Sequence, residues 1–421
     1  MAPIKAALLG FGTVGQGVYE SLKTHKEQLK SVLGSDIVIE AVLVKDGTKK
    51  RDIDENVRVT TDFEEILRIP DLQVVFEAIV GEEPGFTYLK KAIEKGCHVI
   101  TANKVMFARH GKTLLNQASE AGVSVGFEAT TAGGTPIIRS ISQLLQVNNI
   151  LSIEAILNGT SNYILSNMRE KGLAFEDALK TAQKLGYAEA DPVNDVEGFD
   201  AFYKLIILSE LSFGYAPDWE RVDRSGITHV AQNHIEVFKE WGYRIKHLAQ
   251  IHHDSGELLA SVKPVLLDAE HSLYGIEGVQ NAVMIETSLA GKVTLQGAGA
   301  GKLPTASAMV EDLTYVFQSS RNNVFNKSCD VTHREDDEAK QSNKKQYAVI
   351  GPKPLTVNYV ASNAIQVLRQ EEKDGQFYSL ITCWKEAADT LLIEANTQIY
   401  DVASSKEVHN REKEIKQVIN L

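Results

Sequence analysis

The sequence predicts an α/β protein in three parts: an N-terminal doubly wound parallel sheet, a mixed α+β second domain and a small C-terminal βαββα piece. Three observations carry that expectation. Strand-like apolar runs alternate with helical patterns over about the first 130 residues, as the crossovers of a parallel sheet require. Gly10, Gly12 and Gly15 stand between the first strand and the first helix. A polar stretch from Asp330 to Gln346 has almost no apolar side chain, reads as a solvated linker, and sets off about the last 75 residues.

The elements follow in order. Ile4 to Leu9 is a buried-strand run, and a helical pattern through Val18, Leu22 and Leu29 comes after the glycines. A second strand, Ile37 to Val44, lies at βαβ spacing. Further strands are expected at Val74 to Val80, His98 to Thr101 and Val123 to Glu128, with helices at Phe86 to Lys95 and Gly111 to Ala121. The rhythm changes after Gly133, Gly134, Thr135 and Pro136. Helices at Ile137 to Leu145, Phe175 to Leu185, Gly198 to Phe213 and His234 to Trp241 then mix with strands such as Leu151 to Leu157 and Ala260 to Leu266. The tail reads strand, helix, strand, strand, helix, with Ser379 to Trp384 and Asp389 to Ala395 as its middle strands. The expected domains are therefore 1–130 (completed by about 300–325), 131–300, and 347–421 beyond a linker at 330–346.

With 421 residues, 43% of them hydrophobic, the chain can bury a large core divided among two or three domains. A formal charge of -12 and the lack of a basic block with interleaved aromatics exclude nucleic acid as the expected partner. The N-terminal apolar run is far too short for a membrane span and flows into the glycine turn, so it reads as a strand and not as a leader. Cys97, Cys329 and Cys383 are widely separated with no CxxC pair, which fits a reducing compartment and places the protein in the cytoplasm.

Seven segments are candidates for carrying chemistry. The Gly-x-Gly-x-x-Gly element at Gly10–Gly15 follows a strand and opens a helix: Gly10 allows the tight turn, Gly12 lets backbone approach a pyrophosphate, and Gly15 permits close packing. It predicts dinucleotide binding, the alternative being a mere packing turn. After the second strand stands Lys45, backed by Lys49, Lys50 and Arg51, which suits a 2′-phosphate and favours NADP; Asp46 keeps NAD open, and a solvated basic loop is the plainer reading. Thr101 to Lys104 closes a strand where the ligand crevice of a parallel sheet lies, so Lys104 is either a polarising cation or a solvated lysine. Glu128 to Pro136 offers a carboxylate and backbone carbonyls, the oxygens a hard monovalent cation prefers, or else forms a hinge. In the stretch from Glu189 to Lys204, Asp200 and Lys204 lie one helical turn apart; facing a cleft they can hold a cationic substrate and exchange a proton with it, and elsewhere they are an ordinary surface pair. Asn158 to Tyr163 reads as a capped strand-to-helix turn, and Gly297 to Lys302 as a second glycine approach or a return crossing.

In combination, Gly10–Gly15, Thr101–Lys104, Glu128–Pro136, Asn158–Tyr163, Leu185–Lys204 and Gly297–Gly301 fall in order across about 300 residues and closely resemble homoserine dehydrogenase, in its monofunctional form with a C-terminal ACT-like extension. The resemblance implies a Rossmann-type first domain, a substrate-binding and dimerisation domain, and NAD(P)-dependent interconversion of L-aspartate 4-semialdehyde and L-homoserine on the way to threonine and methionine. It implies Lys204 and Lys104 as catalytic residues, with Lys204 the proton donor in reduction. Thr160, Tyr187, Glu189, Asp195 and Asp200 would contact the substrate, Tyr187 through its backbone. Gly10, Phe11, Gly12, Thr13, Val14, Gly15, Lys45, Thr101, Lys104 and Gly301 would contact NADP or NAD. Glu128 with the carbonyls of Thr131, Gly133 and Thr135 would hold a structural sodium ion. A homodimer or homotetramer is implied.

Three departures stand out. Residue 203 is Tyr where the family often has Arg; Thr130, Thr131 and Thr135 replace small or aliphatic residues; and Gly351 to Thr356 lacks the turn typical of an amino-acid sensor, so the tail is expected to serve assembly. Two competing readings fare worse. A sugar- or inositol-type dehydrogenase would carry Glu-Lys-Pro in place of Ala102-Asn103-Lys104, and a nucleotide-sensing regulator would have lost Asp200 and Lys204.

Overall fold

In Ile4–Leu9 (β1) Ala6 and Leu8 face one core and Ala7 and Leu9 another, the two-residue period of a strand covered on both sides. The computed structural model, which describes residues 2–254, 257–322, 344–356, 360, 364–394 and 397–403, divides by contacts into two units. The first comprises residues 2–151, 200–220 and 281–322; the second comprises 152–199, 221–280 and the described residues from 344 onwards.

The first unit runs β1, Thr13–Thr24 (α1), Lys26–Leu33 (α2), Ile37–Leu43 (β2), Arg58–Thr60 (β3), Phe63–Leu67 (α3), Leu72–Glu77 (β4), Gly85–Glu94 (α4), His98–Thr101 (β5), Lys104–Glu120 (α5), Val125–Gly126 (β6) and Ile137–Leu144 (α6). Its sheet order is β3-β2-β1-β4-β5-β6, with every pairing parallel. The order reverses between β1 and β4, and at such a switch point the carboxyl ends of the strands open a ligand crevice.

Two boundaries differ from the expected ones for local reasons. The helix after the glycines breaks at His25 into α1 and α2, where the Thr24 hydroxyl donates to the Glu20 carbonyl and sits 2.9 Å from the His25 ring. Helix α5 begins at Lys104 and not near Gly111, because Asn103 caps it, accepting from the Met106 amide at 3.1 Å. Gly111 then lies mid-helix under the ring of Phe107, which a Cβ would approach to 2.8 Å.

The second unit contains most of Ile150–Ile156 (β7), then Gly159–Lys171 (α7), Phe175–Lys184 (α8) and Val193–Val196 (α9). Phe199–Phe213 (α10) belongs to the first unit from Asp200 on. Asp223–Arg224 (β8), Gln232–Glu240 (α11), Arg244–Asp254 (β9) and Glu257–Leu267 (β10) continue the second unit, β9 and β10 forming a long antiparallel hairpin. Gln280–Thr287 (β11), Gly291–Ala298 (β12) and Lys302–Asn322 (α12) return to the first from Asn281 on. Helix α12 packs on α1.

The tail is Lys345–Gly351 (β13), Gln366–Lys373 (β14), Gln376–Cys383 (β15), Lys385–Glu394 (α13) and Gln398–Ala403 (β16). Strands β13, β15 and β14 pair antiparallel, and β16 joins β13 antiparallel and β10 parallel, with Val265 opposite Asp401. The stretch from Asp389, expected as a strand, is helical to Glu394: Ala388 and Leu391 are buried three apart while Leu392 is half exposed, a helix face and not an alternation. The expected linker lies outside the described residues up to 343, and Lys345 and Gln346 already belong to β13. Among the described residues no helix is long and apolar enough to cross a membrane.

Candidate active site

Helix α10 is apolar almost throughout, with Ala201, Phe202, Leu205, Ile206, Ile207 and Leu208 buried. Asp200 and Lys204 are buried on it too, and a charge is tolerated there only when paired. Lys204 Nζ lies 2.8 Å from Asp200 Oδ2, and Lys104 Nζ, from the first turn of α5, pairs with Asp200 Oδ1. Burial pushes the Asp200 carboxyl up, but the two ammoniums outweigh it and hold the group well below the usual carboxylate range. One anion thus serves two cations from separate helices. The pair predicted from spacing is no surface pair: Lys204 is 7% exposed.

The glycine turn fits a dinucleotide. A Cβ on Gly10, which has φ +93°, would lie 2.6 Å from the Ala78 carbonyl oxygen, and one on Gly15 would lie 2.2 Å from the Gly10 carbonyl oxygen. Among the described residues a Cβ on Gly12 would meet nothing within 4 Å, which marks the open side of the turn. Gly12 precedes α1 with no side chain capping its first amides, which leaves backbone donors and a positive dipole end for phosphates. Thr13 is exposed beside it; Phe11 and Val14 are partly buried, and Phe11 packs edge-on against Tyr19.

Lys45 is exposed just past β2, and the Asp46 carboxylate is engaged by the Thr48 amide and hydroxyl at 2.9 and 2.7 Å. Lys49, Lys50, Arg51 and Lys302 line a cleft of about 480 Å³ alongside Phe11 and Gln16. Gly301, at φ +127°, leads directly into α12, whereas Thr101 is buried and turns its hydroxyl inward to Glu77.

Of the remaining predicted residues, Glu128, Thr131, Gly133 and Thr135 belong to the first unit. Both Glu128 oxygens accept amides at the start of α6, Ile138 at 2.8 Å and Arg139 at 3.0 Å, with Arg139 Nε at 3.4 Å. The Thr135 hydroxyl is buried without a hydrogen-bond partner among the described residues. A carboxylate and a buried hydroxyl are oxygens of the kind a hard monovalent cation takes, but both carboxylate oxygens already have amide partners and the Arg139 guanidinium lies beside them.

Thr160, Tyr187, Glu189 and Asp195 lie in the second unit. Thr160 donates to the Tyr187 carbonyl at 2.6 Å. Asp195 accepts from Asn158 Nδ2 at 2.8 Å, and its carbonyl accepts from the Ser161 hydroxyl at 2.8 Å. Glu189 is exposed. The turn at Asn158 is capped as expected, by the Asn158 side chain accepting from the Ser161 amide at 2.7 Å.

Sequence reasoning missed two buried acids of the first unit, Glu77 and Asp312. Asp312 accepts from the Glu128 amide at 2.9 Å and lies 3.5 Å from Arg139. Glu77 did leave a signal: a lone carboxylate closing the apolar run Val74–Phe76. Asp312 left none, since its partners stand far away in sequence.

Comparison with known proteins identifies the family. Residues 10–128 match the family model described as homoserine dehydrogenase, NAD binding domain, and residues 136–314 match the one described as homoserine dehydrogenase. A homoserine dehydrogenase of Bacillus subtilis (strain 168) is 39% identical over 329 residues, 78% of this chain and 76% of that protein. The crystal structure of a homoserine dehydrogenase from Thiobacillus denitrificans superposes with a TM-score of 0.84 at 32% identity, covering 96% of this chain and 98% of that one. A hyperthermophilic archaeal homoserine dehydrogenase in complex with NADPH gives a TM-score of 0.65 at 28% identity over 76% of this chain and 98% of the other.

Proposed function

The chain belongs to the homoserine dehydrogenase family and is an NAD(P)-dependent homoserine dehydrogenase, and from that premise we propose how its own residues carry the interconversion of L-aspartate 4-semialdehyde and L-homoserine. The supporting observation is the pair of ammoniums, Lys104 and Lys204, on one buried carboxylate. The bound nicotinamide supplies the hydride for reduction and accepts it in oxidation. Lys204 Nζ gives a proton to the substrate oxygen as that oxygen gains charge, and takes it back from the hydroxyl in the other direction. Lys104 Nζ offsets the same charge. Asp200 holds both amines in place. Glu189 is assigned to the substrate ammonium, and Thr160, the Tyr187 carbonyl and Asp195 to its amino-acid end.

The assay is cofactor absorbance at 340 nm with homoserine. Lys204→Ala is expected to lower kcat by about 10²-fold or more while cofactor affinity stays near wild type, the scale of a lost general acid. Glu189→Ala is expected to raise the homoserine KM at nearly unchanged kcat. Equal losses of kcat and cofactor affinity in the first variant would remove Lys204 from its role.

The cofactor assigned is NADP in preference to NAD. In support, Asp46 is occupied by Thr48 while Lys49, Lys50 and Arg51 line the cleft beside α1. Replacing Lys50 and Arg51 together by Ala should raise the NADP KM about tenfold, ~1.4 kcal/mol, and move the NAD KM far less; parallel changes would contradict the assignment. The finer expectations are a structural sodium at Glu128, Thr131, Gly133 and Thr135, a homodimer or homotetramer, an ACT-like tail and a cytoplasmic location. The location is supported by the free, buried thiols of Cys97 and Cys383. Melting after exchange of sodium for tetramethylammonium tests the ion, and light scattering tests the assembly.

A further inference from the structure

The Glu77 side chain is fully buried at the end of β4, one strand from the turn that carries Lys104. A carboxyl there is costly, and burial pushes its pKa up to about 7 against the pull of its donors. Packing alone would be served better by an apolar side chain. What the carboxyl does is bind three donors from two loops. Its Oε1 accepts the Ile79 amide at 2.7 Å and lies 3.5 Å from Asn103 Nδ2, while its Oε2 accepts the Thr101 hydroxyl. The Thr101 hydroxyl oxygen in turn accepts the Asn103 amide at 2.9 Å.

Backbone contacts close the same seam. The Ala102 amide donates to the Glu77 carbonyl at 3.1 Å, and Asn103 Nδ2 donates to the Gly81 carbonyl at 2.6 Å. Asn103 Oδ1 caps α5, whose first residue is Lys104. On the other side, Ala78, the neighbour of Glu77, is the residue against which Gly10 turns.

We propose that Glu77 is a positioning residue for the reaction: its carboxyl locks the Thr101–Asn103 turn and thereby fixes where the Lys104 ammonium sits relative to Asp200. This rests on the reading of Lys104 as a participant in the chemistry. Glu77→Gln keeps the shape but removes the charge and sets an amide donor either against the Ile79 amide or against the Thr101 hydroxyl, which must then turn its own proton away, so the anchoring of the turn weakens without a cavity.

The test is a double-variant cycle on the full chain, with kcat, cofactor Kd by fluorescence titration, and melting measured for E77Q, Lys104→Ala and both together. E77Q is expected to lower kcat about 10- to 100-fold, the cost of a small misplacement of a reacting group, with cofactor Kd within about threefold. Because it acts through Lys104, the double variant should be little slower than Lys104→Ala alone. A purely structural role would lower the melting temperature and leave kcat per folded site intact, and that result overturns the proposal. So does a double variant in which the two losses multiply. If E77Q does not fold, Thr101→Val, which removes the link between Glu77 and Asn103, enters the same cycle with the same expected outcome for kcat alone. An unchanged kcat in Lys104→Ala would overturn the reading of Lys104 and this proposal together, whereas a large but multiplicative loss would overturn this proposal alone.

Discussion

Asp200 and Asp312 are both buried aspartates, and they titrate in opposite directions. At Asp200 burial raises the pKa, but Lys104 and Lys204 win and the carboxylate is favoured, so it contributes stability above its ordinary pKa and loses it as pH falls through the depressed value. At Asp312 burial dominates over Arg139, and Glu128 adds to it, so the pKa rises from 3.8 to about 7. The folded protein there keeps a proton that the unfolded chain releases, and stability is lost as pH climbs from about 4 through 7. Asp312→Asn should therefore melt with a smaller drop in Tm between pH 5 and pH 8 than the parent; Glu77, raised likewise to about 7, leaves a residual slope. An undiminished drop would sink the assignment. The difference also marks what the sequence could disclose at this scale. Asp200 and Lys204 are four apart, so helical spacing alone joins them. Glu77 meets Thr101 across 24 positions and Asp312 meets Glu128 across 184, and no local pattern encodes such a meeting.

Among elements, the contact of α1 with α12 depends on one missing side chain. A Cβ on Gly17 would lie 2.6 Å from the Lys302 carbonyl oxygen and 3.0 Å from the Ala306 Cβ, so the helices touch backbone to backbone. Gly17→Ala is expected to force them apart and cost about 1–3 kcal/mol, the range for overpacking, despite the better helix propensity of Ala. Urea denaturation measures it, and a stability gain would contradict the argument. Five of the six strands of the first sheet were legible because buried parallel strands read as unbroken apolar runs and Gly10 and Gly15 punctuate them, whereas the short edge strand β3 and the helix α3 after it were not expected. The helix at Lys385–Glu394 was not, since a short aliphatic run such as Leu391 to Ile393 fits strand and helix alike until its neighbours decide. The start of α5 was missed because its cap, Asn103, stands before residues with little apolar period.

For the whole molecule, the tail is more than an appendage. Strand β16 runs parallel to β10 over Val265 to Leu267, Lys263 pairs with Asp401 at 2.9 Å, and Tyr378 and Tyr400 are buried against Phe238. Ending the chain after Gln346 would bare that strand edge and the Phe238 face. The truncated protein should melt lower and aggregate on gel filtration; equal solubility and Tm would show that the pairing contributes nothing. The first unit poses a different constraint. It is stitched from three stretches of sequence, and the last of them, α12, supplies Met309 and Leu313 to the core beneath α1. During synthesis, then, the opening third of the chain leaves the ribosome without the α12 side chains that complete the core around its first helix, and that core stays incomplete until more than 300 residues have been translated. An interval of that length is the natural point of entry for a chaperone.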